Sequence, residues 1–97
     1  MNDADWTKAR AALQTAMMAR AAGQAANWTN ADTGLKGTVT AVGQPFANEA
    51  LTCNAFLATV IEASETHWYQ GRACRAGGDV WEVTEVTVWT PPRRQGG

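Results

Sequence analysis

Residues 51–83 read LTCNAFLATVIEASETHWYQGRACRAGGDVWEV, and the fold turns on this stretch. Its β-branched and aromatic runs are split first by Glu62-Ala63-Ser64-Glu65 and then by Gly77-Gly78, the pattern of two successive β-hairpins. It also carries both cysteines, Cys53 and Cys74. The midpoint between them falls at the Ala63-Ser64 junction. A hairpin folded symmetrically about that junction sets the two cysteines directly opposite on neighbouring strands, with Cα atoms about 4.5–5.5 Å apart. That separation permits a disulfide. The same register lays Phe56 over Gly71, a ring covering a bare glycine backbone. A second hairpin centred on Gly77-Gly78 would set Trp81 opposite Cys74 and Trp68 opposite Thr87, with Trp89 two residues further on. Val83 and Val86 differ in parity, which predicts a β-bulge near Thr84-Glu85.

Around these hairpins the rest of the chain falls into place. Residues 2–22 have helical periodicity: Trp6, Ala9, Leu13, Ala16 and Met17 share one face. Asn2 and Asp5 have the spacing of a capping box, Arg20 suits the C-terminal end, and Gly23 is placed to end the helix. A short strand carrying Trp28 follows. The turn Asn30-Ala31-Asp32-Thr33-Gly34 leads to a strand around residues 37–42, which Gln44-Pro45 is expected to break. Strands are expected at 51–62, 67–75 and 80–89, with Pro91-Pro92 ending the last. The expected architecture is α+β: an N-terminal helix packed on an antiparallel sheet of four or five hairpin-connected strands. Residues 2–90 form one domain, and 91–97 are expected to be a disordered tail.

The totals narrow the function. The 97 residues include 8 basic and 9 acidic side chains, a net charge of −1, so no basic field exists to hold nucleic acid. No apolar run approaches the roughly 20 residues of a membrane-spanning helix. The start, MNDADWTKAR, is polar and acidic, unlike a secretion signal. Five tryptophans are many for this length. Trp6, Trp28 and Trp81 fit core positions.

Three blocks, in order, carry a likeness to a known family. The first is the helix leading into Gly23-Gln24, then Trp28-Thr29-Asn30-Ala31-Asp32-Thr33-Gly34 and Gly37-Thr38-Val39. The second is Cys53 with Phe56. The third is Gly71-Arg72-Ala73-Cys74-Arg75, then Gly78 and Trp81. Over residues 2 to about 83 the chain resembles the C-terminal domain of bacterial 17-kilodalton-type outer-membrane surface antigens. Ala31 stands where that family usually has proline. The resemblance implies an envelope domain, in the periplasm or at the outer membrane, with no catalytic residues to carry over. Membrane contact would come only through segments absent from this chain.

The remaining candidates are weighed residue by residue. Cys53 and Cys74 read as a structural disulfide; free thiols and a metal pair are the alternatives. Two thiolates and the lone His67 fall short of a tetrahedral zinc set, and no metal or other cofactor is expected. One histidine and no nucleophile-elbow motif argue against a hydrolytic triad. Glu62 with Glu65, and Glu82 with Glu85, read as solvated carboxylates. Asn27-Trp28-Thr29 matches the N-glycosylation pattern, without weight in a bacterial protein. Trp68 and Trp89 are candidate partner-binding rings near one sheet end. Arg72 and Arg75 are candidates for an acidic partner or for stacking on Trp81. The expected function is a non-enzymatic structural or protein-binding module, acting on an envelope protein or on itself. The rivals are a cytosolic or phage-type protein-binding inhibitor, which would be cytoplasmic, and a small enzyme.

Overall fold

The protein is described from a computed structural model covering residues 2–18, 24–78 and 80–90. One helix, α1 (Asp3–Met18), precedes five strands: β1 (Ala25–Asn30), β2 (Leu35–Asn48), β3 (Leu51–Glu62), β4 (Glu65–Arg75) and β5 (Glu82–Val88). The strands form one antiparallel sheet in chain order, β1-β2-β3-β4-β5. This is the α+β arrangement read from the sequence. The cap at Gly23, the end of the helix beyond Met18, the stop at Pro91-Pro92 and the tail at 91–97 lie outside the described residues.

The helix starts as its first residues dictate. The Asn2 backbone N–H donates to Asp5 Oδ2, and the Asp5 N–H donates to Asn2 Oδ1, each at 2.9 Å. This reciprocal pair satisfies two of the helix's free N-terminal donors. Ala12, Leu13, Ala16 and Met17 face the sheet and are buried. Trp6 does not join them: it is 50% exposed, a correction to the core position expected of it. It shares the angular face of Leu13, but in the first turn that face overhangs a part of the sheet with nothing to cover the ring.

The central hairpin keeps the symmetric register. Cys53 pairs with Cys74, Phe56 with Gly71 and Glu62 with Glu65. The cysteines are joined by a disulfide across a Cα–Cα distance of 4.0 Å. Phe56 lies so close over Gly71 that an added Cβ would come within 2.8 Å of its Cζ and collide with the Glu85 carbonyl oxygen. Trp28 uses the same device on its neighbour Gly37, where a Cβ would meet Trp28 Nε1 at 2.6 Å and the Thr59 carbonyl oxygen. Two glycines thus let two rings lie flat on the sheet beneath the helix, at the centre of the core.

Two expectations about strand ends are corrected. Gln44-Pro45 does not end β2, which runs on to Asn48; the ladder to β3 skips from Val42 to Phe46. The buried Asn54 amide donates to the Val42 carbonyl at 3.1 Å at this skip, supplying a partner that the ladder lacks there. The second hairpin is not a two-residue turn at Gly77-Gly78. Cys74 faces Glu82 rather than Trp81, and Gln70 rather than Trp68 faces Thr87. The bulge is where parity requires it: the ladder passes from Arg72↔Glu85 to Ala73↔Val83, leaving Thr84 without an opposite residue.

The connection before β5 is held from the helix. Gln14 Nε2 donates to the Trp81 carbonyl at 2.6 Å, and the Trp81 N–H donates to Gln14 Oε1 at 2.7 Å. The side-chain amide imitates a neighbouring strand and fixes Trp81, which is buried in the core. Trp81 therefore packs under the helix instead of flanking the disulfide.

Candidate functional site

The pleat sorts every sheet residue to one of two faces. Trp28, Val39, Phe56, Ala58 and Ala73 lie on the helix side with the core. Cys53 and Cys74 have the opposite parity, so the disulfide lies on the far face. The helix packs chiefly on β1 and β2. The helix side of β3–β5 is therefore only partly covered. A groove of about 480 Å³ remains there, between Trp6, Arg10 and Leu13 of the helix and Tyr69, Val86 and Val88 of the sheet. Val83, Val86 and Val88 are opposite Ala73, Gly71 and Tyr69, so all three belong to this side. Each is exposed, Val88 to 74%. Sequence periodicity marked these valines as strand residues and offered no sign that their face would stay open.

The far face holds most of the residues singled out from the sequence. Trp68 and Trp89 are half-buried and meet edge to face, with ring centroids 5.5 Å apart at 67°. The Trp89 N–H donates to the Trp68 carbonyl, so the last described strand continues to pair at this end. Beside them is a second hollow of about 520 Å³, lined by Val42, Phe46, Leu57, Arg72, Thr87 and Trp89. Arg72 stands at its rim. Its Nη2 lies 3.6 Å from Glu85 Oε2, and its guanidinium lies 5.9 Å from the centre of the Phe46 ring. Arg72 Nε is the only buried side-chain polar atom without a hydrogen-bond partner among the described residues.

Arg75 is separated from this group. Residues two apart in a strand share a face, but Arg72 and Arg75 are three apart and point to opposite sides. The Arg75 guanidinium stacks over Trp81 at 5.5 Å, and its Nη1 donates to the Gly78 carbonyl. Stacking on Trp81, one of the two readings of this pair, thus describes Arg75 and not Arg72.

The other ionisable groups singled out from the sequence lie at the surface. His67 is exposed, with Nε2 3.7 Å from Glu65 Oε2. Glu62, Glu65, Glu82 and Glu85 are all exposed. Among the described residues, no three His, Cys, Asp or Glu side chains come together as a metal-binding group. No helix among them is long and apolar enough to cross a membrane.

One buried carboxylate lies outside both hollows. Asp5 is fully buried; its Oδ1 accepts from Asn30 Nδ2 at 2.9 Å and from Thr33 Oγ1 at 2.7 Å, while Oδ2 accepts the Asn2 N–H. Burial acts to raise its pKa, but these hydrogen bonds together outweigh it and hold the carboxyl below its ordinary value. Every oxygen is occupied, so Asp5 fastens the helix start to the β1–β2 turn and is not free to act on a ligand. The capping spacing was visible in the sequence; the link to Asn30 and Thr33 was not.

Compared with known proteins, the chain matches no curated protein and no solved structure. The family model described as 17 kDa outer membrane surface antigen matches residues 15–82. The match runs from the last described turn of the helix, through the glycine-backed rings and both cysteines, to the start of β5. With that span covering most of the chain, the protein belongs to the 17 kDa outer membrane surface antigen family.

Proposed function

We propose that this domain is a non-enzymatic, protein-binding module of the bacterial envelope, and that it binds through the β4–β5 end of its sheet. The observation that carries this reading is uneven coverage: one helix serves five strands, and β5 is exposed along all seven residues. Val83, Val86 and Val88 on one side and the Trp68–Trp89 pair on the other give that end apolar surface on both faces. Exposed apolar surface grouped in this way is typical of contact sites, and aromatic and arginine side chains are their usual anchors. Arg72, held beside Glu85 at the edge of the hollow, supplies a polar rim. Family membership supports an envelope location, at the outer membrane or in the periplasm.

The test is the double substitution Trp68→Ala and Trp89→Ala. Partner capture from envelope extract, or self-association by light scattering, should weaken, with the thermal unfolding transition still cooperative. Undiminished capture and association by the folded variant would remove the aromatic pair from the proposed site. A variant that unfolds would place the rings in the core instead.

A further inference from the structure

We infer that β5 is a self-pairing edge: two copies of this domain join their sheets antiparallel through Val86 and Val88, about a two-fold axis at Thr87. The inference rests on the binding-module reading and names the partner as a second copy of this chain.

The phase of the hydrogen bonds comes first. The Trp89 N–H donates to the Trp68 carbonyl at 3.0 Å. Antiparallel alternation then turns the backbone groups of Trp89, Thr87 and Glu85 toward β4, and those of Val86 and Val88 away from it. Among the described residues β5 is the outer strand, so four outward N–H and C=O groups have no strand beside them. Such a row is a template for another strand. The usual protections are thin here. Residues 82–88, EVTEVTV, contain neither lysine nor proline. The bulge at Thr84 disturbs only the first half of the strand. The opposite edge, β1, is one of the two strands on which the helix packs.

Register follows from phase and pleat. Within β5, the outward groups at Val86 and Val88 can meet only the same groups of a second copy. An axis at Val86 would put Val88 opposite Thr84, within the bulge, where the strand is kinked. An axis at Thr87 pairs Val86 with the second copy's Val88, and Val88 with its Val86, in a regular ladder of four hydrogen bonds. All four valines then lie on the helix side. On the far face Thr87 meets Thr87, and Glu85 meets the second copy's Trp89. No like charges are opposed, and Glu85 already has Arg72 at 3.6 Å. The strand thus opposes no like charges to itself and matches itself in face and in hydrogen bonding. A contact of four backbone hydrogen bonds is short for a stable interface, so the pairing is reversible and depends on concentration.

The experiment combines sedimentation with cross-linking. Wild-type chain should sediment faster as its concentration rises. Thr87→Cys should form a covalent dimer under mild oxidation. Its two copies would face each other as a non-hydrogen-bonded pair about 4.5 Å apart at Cα, within disulfide reach. Glu85→Cys, opposite Trp89, should not. Val86→Pro removes an outward N–H that the β4 ladder does not use, and Val88→Lys charges the contact; both should sediment as monomers at every concentration. If Val86→Pro disturbs folding, Val88→Lys decides alone. A wild-type chain that stays monomeric, cross-linking no better at Thr87 than at Glu85, or a dimer indifferent to Val88→Lys would each overturn the inference. A monomer that still captures an envelope protein through Trp68 and Trp89 would sink self-pairing and leave the module reading standing. A monomer that captures nothing would sink both.

Discussion

Asp5 shows how one side chain can do structural work that its type does not announce. An acidic residue near a helix N-terminus is ordinarily an exposed cap, stabilised by the dipole. Here the carboxylate is buried and receives hydrogen bonds from Asn2, Asn30 and Thr33. Those bonds depress its folded pKa below the ordinary 3.8. A depressed acid contributes stability that is fully present above its unfolded pKa and is lost as pH falls through the folded one. Asp5→Asn should therefore destabilise the domain near neutral pH. The gap in denaturation midpoint between wild type and variant should narrow as pH falls from about 3.8 through the lower folded value. Measuring both proteins at each pH cancels the other carboxylates. A gap that stays constant over that range would mean that the charge of Asp5 does not matter and only its shape does.

The hairpins differ in how much of them the sequence disclosed, and the reasons are physical. The β3–β4 hairpin was legible because a two-residue turn fixes register, and because cysteines and a ring over glycine checked it independently. Gly71→Val tests that register: a branched side chain would collide with Phe56 and with the Glu85 carbonyl. A loss of about 1–3 kcal/mol is expected from overpacking, read from urea denaturation. Equal midpoints for variant and wild type would contradict the observed contact. The β4–β5 hairpin is less legible because Gly77-Gly78 is part of a wider connection, whose far end is fixed by Gln14 from another element. No local signal encodes a contact between residues 67 apart in sequence. Pro45 is ambiguous for a related reason: the ladder is interrupted beside it without the strand ending. The helix was legible in its phase but not in its reach, which is why Trp6 lies over open sheet. Of the candidate site, Trp68, Trp89 and Arg72 are legible in the sequence. The valines of β5 are not, since their exposure depends on how far one helix extends over five strands.

The whole domain is small for its sheet, and the disulfide compensates in part. It joins Cys53 and Cys74, adjacent across β3 and β4, the strands that carry Phe56 and Gly71. Closing a loop of 21 residues constrains the unfolded chain and contributes about 3 kcal/mol. Reduction and alkylation should lower the denaturation midpoint accordingly, with intact mass confirming that both thiols were freed. A reduced protein as stable as the oxidised one would mean that the sheet needs no such tie. Because the bond lies on the far face, away from the helix, its loss should loosen the β4–β5 end before it loosens the helix-covered core. Folding strength and the proposed contact surface would then respond to redox conditions together.

The edge-to-face contact of Trp68 and Trp89 has an optical consequence. Two indoles this close, held at a fixed angle, couple their excited states and give a pair of oppositely signed bands in circular dichroism. That exciton signature belongs to one corner of the sheet and overlies the backbone signal. Its loss in the double-alanine variant would report the missing chromophores rather than missing structure. Its persistence in any other variant certifies that the last strand is still seated against β4.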